Sequence, residues 1–232
     1  MTSSGSWAIL RQVVLGSTDH AADSAAIRQA FRLGDSFADP ELDTTGLVDA
    51  TFPVAKQRYL EVVAPVDGTG PVAKFLQRVG GRGGFALSVQ HPDPDAVRAR
   101  AKARGVRVPI DLIAFGRTVI QLHPKDVGVV LEVDGIDDPT VWFWDEIDPG
   151  PGPDAAVDEI VAVDIQVTDP AGMAALWAYL LDIEADGDRL DLGGVQVRFR
   201  PGGPSADWTV ELRRSGPDAT VPELPGISFR LV

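Results

Sequence analysis

Three glutamates in this chain fall in apolar, strand-like runs and recur at similar spacing. They are Glu61 in QRYLEVVAP, Glu132 in GVVLEVDG and Glu211 in WTVELRR, separated by 71 and 79 residues. A carboxylate enclosed among apolar side chains needs a partner, a cation or a proton. Such a group can ligate a metal or move protons as a general acid or base. If Glu61 and Glu132 face one another without a cation, one of them holds a proton at neutral pH. His123 and Lys125, in the turn LHPKD, supply groups that would meet an anionic substrate, although Pro124 and Asp126 alone account for a hairpin turn there.

Three repeats position these residues. The first runs from AILRQVVLGS (8–17) through a helix in 20–34, stopped by Gly34, to strands at 47–54 and 57–65. The second opens with GGFALSVQ (83–90) and passes into a helix over 94–105, with Asp95 at its start and basic residues at its end, matching the helix dipole. It closes with strands at 106–113, 116–123 and 128–135. The third opens at 158–169, continues in a helix capped by Asp169 with Pro170 in the first turn, and ends with strands at 189–200 and 208–214. Glu211 marks the last of these. GISFRLV (226–232) reads as the first strand of an uncompleted fourth repeat. The Pro-Gly-rich 147–157 separates the second and third repeats.

The expected fold is therefore α+β: repeated βαβββ modules forming a half-open β-sheet cup, with an additional third module. Residues 1–146 hold the paired modules (about 7–66 and 80–135), 147–157 is a linker, and 158–232 is the third module with a terminal strand.

The formal net charge of −13 argues against nucleic acid or an anionic membrane surface as partner. Cysteine is absent, which removes thiol nucleophiles, disulfides and zinc-thiolate sites. No apolar run reaches the ~18 residues of a membrane span. The start, MTSSGSW, has no basic stretch followed by an apolar one, so the expected location is cytoplasmic. Gly80–Gly84 precedes a strand rather than a helix and is a poor phosphate cradle. Trp142, Phe143 and Trp144 are expected to pack between module pairs or at a homodimer contact.

RQVVLGSTD, YLEVVAP and above all LHPKDVGVVLEV (122–133) resemble the vicinal oxygen chelate superfamily, the glyoxalase-like proteins, with the last segment similar to the final hairpin of methylmalonyl-CoA epimerases. The resemblance implies two modules paired around a divalent metal (Zn, Mg, Mn or Ni), held by Gln12, Glu61 and Glu132. It also implies a lyase or isomerase acting on a small α-oxygenated anionic substrate, with Glu61 and Glu132 as catalytic groups and His123 and Lys125 as substrate contacts. The third ligand position falls on Phe85 or Ala86, neither of which binds metal. That departure supports the alternative of a metal-free module that sequesters a small molecule.

Overall fold

The computed structural model describes residues 6–40, 42–203 and 206–232; residues 1–5, on which the expectation of no leader rests, lie outside the described residues. The first repeat is β1 (Ile9–Ser17), α1 (His20–Phe31), β2 (Leu47–Ala55) and β3 (Arg58–Pro65). A helix, α2 (Gly70–Val79), connects it to the second repeat. That repeat contains β4 (Arg82–His91), α3 (Pro94–Ala103), β5 (Ile110–Ala114), β6 (Arg117–Leu122), the short α4 (Pro124–Val127) and β7 (Val130–Gly135). The third holds β8 (Val157–Val167), α5 (Pro170–Leu181), β9 (Ala185–Asp186), β10 (Arg189–Asp191) and β11 (Gln196–Pro201). β12 (Trp208–Arg214) and β13 (Ile227–Leu231) follow.

The helix that follows each opening strand begins on an aspartate. Asp19, Asp93 and Asp169 accept from the backbone N–H of Ala22, Ala96 and Gly172 at 3.3, 2.9 and 3.0 Å. Each cap satisfies one of the otherwise orphaned first-turn donors. The repeated strand–Asp–helix junction is the most regular element of the chain.

Two sheets result, in strand orders β2-β3-β1-β4-β7-β6-β5 and β13-β12-β8-β11-β10-β9. In the first, β1 runs parallel to β3, β4 runs parallel to β7, and β1 and β4 meet antiparallel. The second repeats this plan, with β8 parallel to β11, β12 parallel to β13, and β8 and β12 antiparallel. The fold is mixed α+β with two open sheets, and each sheet joins two modules about an antiparallel seam. The first module contributes three strands, and an isolated bridge between Phe37 and Thr51 lies beyond its edge strand β2.

The ladder revises two expectations. Glu211 does not lie on the strand that closes the third module, because β11 closes it. β12 instead opens a fourth module, and GISFRLV, expected to begin that module, supplies β13, which closes it without an intervening helix. The segment 70–79, unassigned from sequence, is helical because Pro71 follows the start and an apolar stripe of Val72, Ala73 and Leu76 turns inward.

One continuous apolar core spans both sheets and includes α1, α3 and α5. Phe31, Leu87, Leu131, Trp177, Phe199 and Trp208 all belong to it. The sheets approach closely at Gly84, where a Cβ would come within 1.8 Å of the Trp208 ring. No helix among the described residues is long and apolar enough to cross a membrane.

Candidate functional site

The face of the first sheet turned away from the main core forms the cup. Two bulges shape it. Along the β1–β4 seam the register slips between Leu10 and Gln12 and again opposite Phe85, so Arg11 and Phe85 are extra residues. A bulge re-aims the neighbouring side chains. Arg11 and Phe85 accordingly pack with cup groups rather than with the main core.

The register assigns equivalent positions. Val14 pairs with Glu61, and Ser88 pairs with Glu132. Counting back the same distance along each opening strand leads from Val14 to Gln12 and from Ser88 to Ala86. The position equivalent to Gln12 on the other side of the pseudo-twofold seam is therefore Ala86, a methyl group, which pairs across the seam with Val14. It is buried beneath α2 in a small apolar cluster with Val14, Val63, Val72 and Leu76.

Between that plug and an aromatic plug at the opposite end lies a polar band. Gln12 Nε2 donates to Glu61 Oε2 at 2.6 Å, and Gln121 Nε2 donates to Glu132 Oε2 at 2.6 Å. Ser88 Oγ donates to Asp134 Oδ2 at 2.5 Å, and Thr51 Oγ1 donates to Asp49 Oδ2 at 3.2 Å. Burial raises the proton affinity of Glu61 well above the usual carboxylate range, and the charges of Asp49 and Glu132 reinforce it. Glu132 shifts upward through burial, against the opposing Gln121 amide. Burial also raises Asp134 strongly, with Glu132 adding to it. The cup thus concentrates carboxyl groups that resist simultaneous ionisation.

The aromatic plug is the 136–148 segment. Trp142, Trp144 and Ile136 pack with Tyr59 and Phe37. Polar straps tie it to the cup floor. Gln57 Nε2 donates to the Thr140 carbonyl and to Asp145 Oδ1 at 2.9 and 2.7 Å, and Tyr59 Oη donates to Asp148 Oδ2 at 2.8 Å. Gln90 Nε2 donates to the carbonyls of Ile136 and Asp138 at 3.1 and 2.8 Å. The aromatic triplet closes one end of the first cup, which sequence spacing alone did not indicate.

Of the residues singled out from sequence, Gln12, Glu61 and Glu132 share this cup. His123 and Lys125 sit on and before α4, where His123 Nδ1 accepts from the Lys125 N–H at 3.1 Å and Lys125 is exposed. Asp126 in the same turn is held by Arg107, whose hydrogen bonds depress its pKa to about 2. Sequence reasoning passed over Arg11, Asp134, Ser88 and Gln121. The signal available for the last three was alternation, since each falls on the same strand face as Glu132 or opposite it.

The donor set does not fit a divalent cation as it stands. Ala86 offers no donor, and each glutamate already accepts a glutamine N–H. Among the described residues, no three His, Asp or Glu side chains are grouped to hold a metal ion.

The same register on the second sheet gives a different site. Asp164 pairs with Arg198 as Ser88 pairs with Glu132, and Glu211 pairs with Arg230 as Val14 pairs with Glu61. Arginines therefore occupy both glutamate positions. Arg198 bridges Asp164 at 2.5 Å and Glu211 at 2.8 Å, and Arg230 also binds Glu211. This second cup neutralises itself.

No family model and no curated protein matches the sequence. Solved structures do. Methylmalonyl-CoA epimerase from Mycobacterium tuberculosis aligns at 24% identity over 54% of this chain and 86% of that one, with a TM-score of 0.47. A Streptomyces coelicolor methylmalonyl-CoA epimerase variant in complex with 2-nitronate-propionyl-CoA aligns at 22% identity over 56% and 98%, with a TM-score of 0.49. A hypothetical protein from Bacillus halodurans aligns at 19% identity over 58% and 99%, with a TM-score of 0.49. The epimerase neighbours belong to the vicinal oxygen chelate superfamily. The likeness is one of fold and extends over little more than half of this chain.

Proposed function

We propose that the first cup binds a small anionic, α-oxygenated molecule and that Glu61 and Glu132 move a proton to and from its carbon, an isomerase- or lyase-type activity. The observation behind this reading is the pairing of the two glutamates at equivalent ladder positions on either side of one seam, both with raised proton affinity. Charge repulsion favours one ionised and one protonated carboxyl. The ionised group accepts a proton from carbon as the C–H bond breaks, and the protonated one returns a proton to the resulting enolate. His123 and Lys125, at the α4 turn, serve as outer contacts for any second anionic group of the substrate.

A second reading, binding without turnover, is favoured by Ala86 and by the glutamine amides that already occupy both carboxyl groups. Incubation in D2O with small 2-oxo acids, 2-hydroxy acids and acyl thioesters separates the two. The catalytic reading expects deuterium wash-in at the α-carbon, falling about 100-fold or more in Glu61→Gln or Glu132→Gln. Calorimetric binding with no wash-in for any probe would leave only sequestration. Elemental analysis of protein purified without added metal checks whether Gln12, Glu61 and Glu132 recruit a divalent ion.

A further inference from the structure

Arg11 is a cation buried at the aromatic end of the cup, only 3% exposed. Its hydrogen bonds go to neutral oxygens. Nε donates to Gln90 Oε1 at 2.7 Å, a terminal nitrogen donates to the same oxygen, and that nitrogen also donates to the Pro139 carbonyl at 2.7 Å. Its guanidinium lies 5.5 Å from the centroid of the Trp142 ring. Burial, with the charge of Arg58, lowers its pKa to about 10. It remains charged throughout the physiological range.

Trp142 beside it and Trp144 in the same aromatic cluster are 3% and 4% exposed, and neither indole Nε1 has a hydrogen-bond partner among the described residues. An indole N–H can only donate. A buried donor left unpaired costs about 1–3 kcal/mol, and native proteins pair nearly all such groups. Trp177, whose Nε1 donates to the Val127 carbonyl at 3.0 Å, shows the ordinary arrangement in the same chain. One corner of the cup therefore gathers a guanidinium bound only to neutral acceptors and two unpaired donors.

We infer that the Arg11–Trp142–Trp144 corner is the oxyanion-recognition end of the cup and takes a carboxylate of the ligand. The assignment rests on the first cup being a ligand site. A carboxylate in place of the Gln90 and Pro139 oxygens turns the cation's bonds to neutral acceptors into an ion pair, bidentate where the fork of the guanidinium allows, and offers acceptors to the indoles. The donor corner and the carboxyl pair then divide the work. One end holds the anion, and the other exchanges protons at the adjacent carbon.

The test is a titration of the full chain with malonate, with chloride at matched ionic strength as control, following the five indole N–H signals by 15N-resolved NMR. The Trp142 and Trp144 signals are expected to move downfield and saturate, while that of Trp177 stays in place. Arg11→Met should weaken the effect at least tenfold. Trp144→Phe, which removes an unpaired donor and should fold normally, should weaken it severalfold. Shifts that persist unchanged in Arg11→Met, or no movement of either indole at saturating malonate, would overturn the assignment. A saturable indole shift without deuterium exchange sinks the catalytic reading and leaves this one standing. Exchange without an indole shift does the reverse.

Discussion

Arg198 stands on the second sheet where Glu132 stands on the first: each is the ladder partner of the residue two places beyond the buried alanine, Ala162 or Ala86, of its opening strand. The scaffold is duplicated, but the charge is inverted. In the first cup the carboxyl groups repel one another, and in the second they are matched by arginine. Stored electrostatic stress is what a site for proton transfer uses, and a satisfied network is what a structural face uses.

The second cup's network predicts a clear stability effect. Glu211 bridges Arg198 and Arg230 and is itself buried. Glu211→Gln leaves the half-buried Arg198 with Asp164 alone. Removing one partner of a fully buried pair costs about 3–5 kcal/mol, and the partial exposure here reduces this to on the order of 2 kcal/mol. Urea denaturation at neutral pH measures it. A change below about 0.5 kcal/mol would show that the network is solvated and idle.

The two cups also predict opposite responses to pH. Glu61 has a raised folded-state pKa, so the folded chain holds more protons than the unfolded one as pH rises above the unfolded value of about 4.3. Stability from this group is full below that pH and falls as pH rises toward the folded value, by up to about 1.4 kcal/mol per pH unit. Glu211 is depressed, first by its bond from Arg198, so its contribution is present above the unfolded value and lost as pH falls through the folded one. Glu61→Gln should flatten the decline of stability that sets in above the unfolded value of about 4.3. Glu211→Gln should flatten the loss on acidification below about pH 4. Paired urea titrations across pH test both signs. An unchanged slope in Glu61→Gln would mean that its carboxyl is ionised and solvated.

Periodicity and turn residues made the repeats legible. Asp169 before Pro170 announced α5, and alternation around Glu132 announced β7. What stayed hidden depended on pairing between strands distant in sequence. WTVELRR reads equally well as a closing or an opening strand, and only its antiparallel pairing with β8 decides the matter. Arg11 was hidden because strict alternation places it opposite Gln12. The bulge that turns both toward the cup is a property of the β1–β4 register, which local composition does not carry. The helix α2 was obscured by flanking glycines at 68, 70, 80 and 81, which mark turns and here bracket the helix.

That helix leads to a prediction about access. Leu76 is 1% exposed and packs over Gly16 and beside Ala86. Leu76→Ala should cost about 2–4 kcal/mol, the usual range for a buried leucine truncation. It should also hasten hydrogen exchange at the β1 and β4 amides beneath it, while the β8 and β11 amides keep their protection. Uniform acceleration across both sheets would instead indicate global destabilisation, and α2 would not be a local plug.

The contact between the two sheets at Gly84 gives the severest expectation. Gly84 has no φ requirement for glycine; it is small because the Trp208 ring occupies the space of its missing side chain. A methyl group at 1.8 Å from a ring carbon cannot be absorbed by a rotamer change, because Trp208 is itself buried in the main core. Gly84→Ala must separate β4 from β12 or expel the indole. Overpacking of this kind costs about 1–3 kcal/mol where the core can yield, and here the contact is with a rigid aromatic ring, so the upper end is expected. Thermal denaturation followed by tryptophan fluorescence should show a lower midpoint together with a red-shifted native spectrum, as Trp208 meets water. The double variant Gly84→Ala/Trp208→Leu should recover part of the lost midpoint, because the smaller side chain removes the clash. A Gly84→Ala single variant with wild-type midpoint and spectrum would show that the sheets do not meet through this contact.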